Sequence, residues 1–526
     1  MESPAVSSQH LAQRAAVDTA AALRLGAIVS LGGFVFGFDA VVISGVSGAV
    51  TTQFALSDWQ TGWLVSAPTL SAMFASLAAG YLSDRLGRRT MLRVVSVLYV
   101  MSSILSAFAP DFYSLVFARA LGGLAFSSLV LAPVYLAEIS PSAIRGRIVS
   151  MNQLAIVLGL SAAYFSNLGL QTLGQSGFGW VLALQLNDET WRWMLGVELL
   201  PAIAWMIVLF TLTPESPRWL VLKGRVEAAR AVLMRIHVRE RAEAILTRIS
   251  SQIGQISRQG DLRLLLSPTV RVALGLGLVV GCAQQITGVN AIYFYAPIVF
   301  EQTGVSADTA LFQASLIGVT NIVFTIVAML LVDRIGRKPL LLMGLAGVAA
   351  STFMVAFAFH QASYALTPEA VEMASAAVRS LDLSALYGTV YPSDVSFKTA
   401  LMDALGAEAY RDHQSEILRL AISINGGLSL AGILLFVTSF AVSLGPVTWV
   451  FLSEIFPNAV RGAAIAVVAF VNGLVSFLVQ LVFPFELAEF GAALTFALYG
   501  AVALVFLVAV AAVLPETRGT QLEASG

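Results

Sequence analysis

The sequence predicts an all-α polytopic membrane protein: twelve transmembrane helices in two pseudo-symmetric six-helix bundles, joined by a cytosolic helical linker. Three observations predict it. Of the 526 residues, 58% are hydrophobic and only 12% charged, against roughly 25% charged in a soluble domain. The apolar residues gather into stretches near the ~20 residues that a hydrocarbon core of ~30 Å requires. A charged signature is also written twice. Asp84-Arg85-Leu86-Gly87-Arg88-Arg89 returns as Asp333-Arg334-Ile335-Gly336-Arg337-Lys338. Glu138-Ile139-Ser140-Pro141 with Arg145-Gly146 returns as Glu454-Ile455-Phe456-Pro457 with Arg461-Gly462, and Pro214-Glu215-Ser216 returns as Pro515-Glu516-Thr517. Self-similarity of this kind marks duplicated halves.

Residues 1–23 are polar to mixed and lack the basic start, apolar core and cleavage site of a signal peptide, so they read as a cytosolic tail. Apolar stretches follow near 25–48, 60–82, 91–109, 113–136, 149–170 and 192–213, then near 270–300, 310–332, 339–360, 421–452, 461–484 and 490–514. The expected domains are a first bundle at 24–213, linker helices at 214–268, a second bundle at 269–514 and a cytosolic tail at 515–526. Small residues such as Gly32, Gly33, Gly37, Ser44 and Gly45 let helices approach closely in lipid. In the linker, charges recur at helical spacing and leave Ala228, Ala229, Ala231, Leu233 and Met234 as an apolar side. Its role is either simple connection or packing at the cytosolic gate. The segment 363–418 mixes apolar and acidic residues and is expected to form a small, partly helical extracellular cap.

Basic residues set the orientation. Segment 214–263 carries ten Lys and Arg against five acids, whereas 363–418 carries three against eight. The doubled signatures and both termini are therefore expected on the cytosolic side of the cell membrane, and 363–418 outside.

Composition also excludes. A net charge of −1 offers no basic stripe for nucleic acid. One cysteine, Cys282, excludes an internal disulfide, and four scattered histidines suggest no metal site. No nucleophile–base pair, cofactor fingerprint or pore ring of charge is visible, so neither enzyme nor channel is indicated and no cofactor is expected.

Polar groups inside spans carry the remaining information. An unpaired amide in hydrocarbon costs several kcal/mol, yet Gln153, Gln284, Gln285, Asn290, Asn321 and Asn472 all lie within apolar stretches. Such amides either bind helices to one another or meet a ligand rich in hydroxyls, to which they offer paired donors and acceptors. Gln285 and Asn290 are five apart, about 140° around a regular helix. They face one ligand only if the helix breaks, and Thr287-Gly288 lies between them. Phe36 is a candidate pocket wall. Asp39 is the sharpest residue, an acid inside the first stretch. Counting from Arg24 puts it ~22 Å up, and counting from Pro110 puts Arg119 ~14 Å down from the other face. The two therefore reach similar depth, as a permanent ion pair or as a functional one.

Taken together these motifs resemble the major facilitator superfamily. Its sugar porter branch is resembled by Pro214-Glu215-Ser216-Pro217-Arg218-Trp219-Leu220, Gln284-Gln285-Ile286-Thr287-Gly288-Val289-Asn290, Gly445-Pro446-Val447-Thr448-Trp449 and Pro515-Glu516-Thr517-Arg518-Gly519. The resemblance implies alternating-access uptake of a monosaccharide with a proton, by a monomer in the bilayer. It implies sugar contacts from Gln153, Gln284, Gln285, Asn290, Asn321, Trp449 and Asn472, and proton coupling through Asp39 and Arg119. It further implies a cytosolic latch of ion pairs between the halves, drawn from Asp84, Arg85, Arg88, Glu138, Arg145, Glu215, Arg218, Asp333, Arg334, Arg337, Glu454 and Arg461. The alternatives are a passive sugar or polyol uniporter, which lacks the acid, and a non-transporting sugar sensor.

Overall fold

The computed structural model describes residues 19–141, 144–256, 267–372, 374–457 and 460–517, except the side chains at 252–256, 269, 333, 407, 408, 411, 412 and 415. The expectations for residues 1–18, 257–266 and 518–526, and for the Asp333 side chain, lie outside the described residues.

Among the described residues, twelve apolar helices are long enough to cross a membrane: Thr19–Gln53, Asp58–Leu86, Arg88–Ala107, Phe112–Ile139, Arg145–Gly174 and Thr190–Thr211, then Val270–Glu301, Ala307–Val332, Arg337–His360, Gly426–Ile455, Arg461–Glu489 and Gly491–Val513. They are numbered spans 1–12 below. Most are apolar all round, as expected of helices that meet lipid on one side and neighbours on the other. Glycines set the closest approaches: a Cβ at Gly37 would run into the Ile156 carbonyl of span 5, and one at Gly159 into the Phe34 carbonyl of span 1.

Four spans are interrupted: span 4 at Phe126-Ser127 and span 6 at Val197-Glu198 keep right-handed helical dihedrals through the gap, whereas spans 7 and 10 depart from them, each for a local reason. Span 7 stops at Ile286 and restarts at Val289, with Gly288 at φ +92°, a left-handed conformation that glycine adopts without a Cβ clash. Span 10 is interrupted at Ser443 (φ −126°, ψ −90°). Pro446, four residues beyond Val442, has no N–H to give to that carbonyl.

Three linker helices follow span 6: Pro217–Leu222, Val226–Leu233 and Arg239–Ile256. They pack on the first half, in one apolar cluster with Leu25, Met91, Leu136 and Ile148. The buried stripe is Ala229, Val232, Leu233 and Ile236, whereas Ala228, Ala231 and Met234 are exposed. Three of the five residues expected on the apolar side thus face away. The i, i+3, i+4, i+7 stripe includes Val232 and Ile236, which the sequence reading omitted.

The insertion between spans 9 and 10 holds more than helix. A three-stranded antiparallel sheet, in the order β2-β1-β3, joins β1 (Ser363–Ala365), β2 (Val390–Tyr391) and β3 (Ile422–Ser423). It packs with the helix Asp394–Ala421 around Tyr364, Phe397, Leu401 and Ile417. Ala421 and Ile422 belong to this unit, so span 10 begins at Gly426 rather than near 421.

The halves touch toward the end that bears the insertion. Thr51 bonds Thr61 within the first half there, and across the halves Trp59 meets Phe485 (5.1 Å between ring centres) and Trp63 meets Phe477 (5.5 Å). The Tyr164 hydroxyl donates to the Tyr293 carbonyl (2.6 Å), and that of Ser161 to the Gly318 carbonyl (2.8 Å). A cavity of about 870 Å³ lies beneath the insertion, lined among others by Thr51, Asp58, Glu301 and Tyr410; none of the predicted sugar-site amides lines it.

Candidate functional site

The break in span 7 brings the amides together. Asn290 Nδ2 donates to Gln285 Oε1 (2.8 Å) and to Ser476 Oγ of span 11 (2.6 Å). Gln285 Nε2 donates to Asn472 Oδ1 (3.1 Å). Asn472 Nδ2 donates to Gln284 Oε1 (2.9 Å) and to the Gly281 carbonyl (2.8 Å). The left-handed Gly288 turns the second half of the helix so that residues five apart share one face.

Gln284 has a further duty. Its Nε2 donates to the carbonyls of Leu444 (2.9 Å) and Gly445 (3.2 Å), at the break of span 10. These carbonyls open the second helix of span 10, and Gln284 adds a side-chain donor to them beside the break, as the Thr448 hydroxyl does for Leu444 (2.7 Å). At 4% exposure and bonded at both ends, Gln284 ties spans 7, 10 and 11 together in this conformation. Gln285 and Asn290 are only partly buried, so they are the accessible members of the network.

The other predicted sugar contacts are dispersed. Gln153 is exposed, yet its stripe along span 5 runs through Leu160 and Tyr164, and Tyr164 reaches span 7. Trp449 is 43% exposed, one helical turn beyond the Gly445 carbonyl. Asn321 is buried and accepts from the Thr325 hydroxyl of its own helix (3.5 Å). The Phe36 ring stands edge-on to Phe126 (4.7 Å), in the first half's own packing.

Sequence reading missed Ser476 and Gln480. Gln480 Nε2 donates to Ser476 Oγ (2.9 Å), and Thr69 Oγ1 of span 2 donates to Gln480 Oε1 (2.9 Å). The signal was present: Asn472, Ser476 and Gln480 recur every four residues on one helical face.

In the first half, Asp39 is fully buried and paired with Arg119, which is 2% exposed. Arg119 Nη1 donates to Asp39 Oδ1, and Nη2 to the Asp39 carbonyl (3.1 Å). The second carboxylate oxygen, Oδ2, is buried without a partner. It faces Gly122, where an added Cβ would lie 3.0 Å from it. The missing side chain leaves Asp39 one open oxygen. Glu198 of span 6, 1% exposed and with Oε1 unpartnered, lies within electrostatic reach of both Asp39 and Arg119. This third charge escaped the sequence reading because it stands among the apolar residues between Trp193 and Trp205 with no motif around it.

The doubled signatures build two matching clamps. In the first half, Arg88 grips Glu138 (3.1 and 3.2 Å), the Ser83 carbonyl (3.1 Å) and Asp84 (2.7 Å). In the second, Arg337 grips Glu454 (2.7–3.1 Å) and the Val332 carbonyl (3.1 Å). Ser216 donates to Glu138 (2.5 Å) as Thr517 does to Glu454 (2.6 Å). The Glu215 carboxylate accepts from the Arg89 N–H (3.0 Å), and that of Glu516 from Arg337 and Lys338 (3.0 and 3.1 Å). Each acid thereby satisfies the bare amides at a helix start. Gly87 and Gly336, at φ +102° and +104°, leave room for it.

The expected latch between halves takes a different form here. Every described ion pair among the predicted gate charges joins residues of the same half. Arg85 lies over the Tyr81 ring (4.7 Å), and Arg461 Nε donates to the Phe456 carbonyl (3.2 Å). Arg145, Arg218 and Arg334 are exposed. The physical reason is reach: the Arg88 and Arg337 guanidinium groups bond carboxylates and carbonyls of their own bundle.

The sequence pattern of the family described as "Sugar (and other) transporter" matches residues 25–385 and 399–525. The chain belongs to the sugar porter family of the major facilitator superfamily. Among curated relatives of this sugar porter, the arabinose-proton symporter of Bacillus subtilis (strain 168) is 31% identical over 94% of this chain and 92% of its own. The D-xylose-proton symporter of Escherichia coli (strain K12) is 29% identical, over 94% and 93%. Among solved structures, the inward open conformation of the xylose transporter from E. coli matches with a TM-score of 0.71 and 27% identity, covering 95% of this chain and 98% of that one. Its partially occluded inward open conformation matches with a TM-score of 0.72 and 28% identity.

Proposed function

We propose that this sugar porter takes up a monosaccharide together with a proton by alternating access, with the insertion outside, the linker and both termini in the cytosol, and the conformation described here open to the cytosol. The single observation that carries the reading is the pair of sites in opposite halves. One is a buried carboxylate with one bonded and one open oxygen, and the other is a set of amides around a broken helix. The names of the relatives, symporters of arabinose and of D-xylose, supply the cargo.

The residues divide the work. Gln285 and Asn290 offer paired donors and acceptors to sugar hydroxyls; Asn472 and Gln284 hold them in place, Trp449 adds an aromatic face from span 10 of the same half, and Gln153 contributes from the first half. Asp39 takes the proton on its open oxygen. Protonation removes the charge that Arg119 holds, and Glu198 stands near enough to take up the released attraction. The pair then differs between the two facing states, which is the differential interaction that coupling demands. One charge moved through 100 mV is worth about 2.3 kcal/mol, enough for roughly fifty-fold accumulation when about 1.4 kcal/mol is a factor of ten.

The test is uptake into proteoliposomes of a labelled panel (D-xylose, L-arabinose, D-galactose, D-glucose), with and without an inward proton gradient. The reading expects at least one sugar to accumulate above its outside concentration only with the gradient. Equilibration at the same rate with and without it would establish a passive carrier instead.

A further inference from the structure

We infer that Thr69 and Gln480 are positioning residues that couple occupancy of the sugar site to closure of the outer side. The inference rests on the sugar-binding reading above. A continuous chain of hydrogen bonds runs from Asn290 through Ser476 and Gln480 to Thr69, each link 2.6–2.9 Å. Its first three members belong to the second half and Thr69 to span 2 of the first, so the last link crosses the plane along which the halves part.

In this arrangement the Ser476 oxygen accepts from Asn290 and from Gln480 together. Asn290 Nδ2 has two hydrogens, and both are used, on Gln285 and on Ser476. A sugar hydroxyl that accepts from Asn290 on the span 11 side therefore displaces Ser476. The Ser476 hydroxyl then holds Gln480 alone and is free to turn. The Gln480 amide is pinned at both ends, donating through Nε2 and accepting Thr69 at Oε1. Loosening one end loosens the other. The Tyr295 hydroxyl, donating to the Gln480 carbonyl (2.8 Å), anchors the backbone, so the change falls on the side chain. The empty site thus holds the outer side shut through Thr69, and an occupied site lets it open. By reciprocity, anything that breaks the Thr69 link favours sugar.

The experiment is a double-mutant cycle read by electron–electron distance. Spin labels at Thr52→Cys and Glu489→Cys, both exposed at the outer end, are placed in a Cys282→Ser background of the full chain. Without sugar, Thr69→Val should raise the ratio of separated to closed ends about fivefold, the size of one net hydrogen bond. Gln480→Leu should do the same, the double variant should do no more than either, and Thr69→Ser should restore the parent ratio. D-xylose, L-arabinose or D-galactose should move the parent ratio and leave that of Thr69→Val nearly still. A merely structural Thr69 would lower thermal stability yet keep the response to sugar, and that result would overturn the inference, as would additive effects of the two substitutions. A parent that binds none of the three sugars overturns the functional reading too, and differs in that binding itself is then missing.

Discussion

At the scale of the residue, chemically alike side chains divide by environment. Gln284 and Gln285 are neighbours in sequence, yet one is buried and bonded to the backbone beside the break of span 10, and the other is only partly buried and bonded to Asn290. Gln285→Ala and Asn290→Ala should each weaken sugar binding by roughly thirty-fold, near the middle of the cost of an unmade bond to a buried partner. Isothermal binding of the transported sugar measures this, with unfolding temperature nearly unchanged. Gln284→Leu should show the reverse pattern, because it removes the tie among spans 7, 10 and 11 and takes one acceptor from Asn472 Nδ2: a lowered unfolding temperature, with the remaining folded fraction still binding sugar. The mid-membrane amides and Asp39 were legible in the sequence because polar groups there are costly and therefore conspicuous. Their division of labour was not, since it depends on which face each presents once Gly288 has turned the helix.

At the scale of the element, the two breaks and the two clamps carry the account. Gly288→Ala would place a Cβ at a left-handed φ, 3.1 Å from the Tyr499 ring, and the strain alone costs about 1 kcal/mol. A fall of several degrees in unfolding temperature is expected, together with weaker sugar binding, because Gln285 and Asn290 lose their common face. The linker helices yield a pH dependence. His237 is buried at their junction with Nδ1 unpartnered. Burial, and then the nearby Arg241 charge, holds its pKa below the usual 6.5. A group depressed in the folded state takes its proton more readily when unfolded. Stability is therefore full above about pH 6.5 and falls as the pH drops through and below it. Thermal unfolding of the parent at mildly alkaline and mildly acidic pH should show the loss, and His237→Leu should flatten it. Motif spacing revealed the clamps as a duplication, but not that they brace each bundle internally. Nothing in the spacing says whether Arg88 turns to Glu138 or across to the other half.

For the whole molecule, twelve spans, two halves and the insertion followed from composition and repeats, because length and apolarity are what a bilayer selects. The sheet in the insertion and the phase of the linker stripe did not, since short strands and single-turn helices are decided by tertiary burial. The contacts described between the halves lie toward the insertion end, as suits a rocking molecule in which two remote sites bias one equilibrium. The central claim is that Asp39 lends its open oxygen to the coupling proton. Replacing it with Asn keeps the shape and removes the titration. The most direct measurement compares, in proteoliposomes of Asp39→Asn, gradient-driven accumulation with sugar-for-sugar counterflow. The account predicts that accumulation above equilibrium is lost while counterflow continues at a rate near that of the parent. Persistent uphill accumulation in that variant would contradict it.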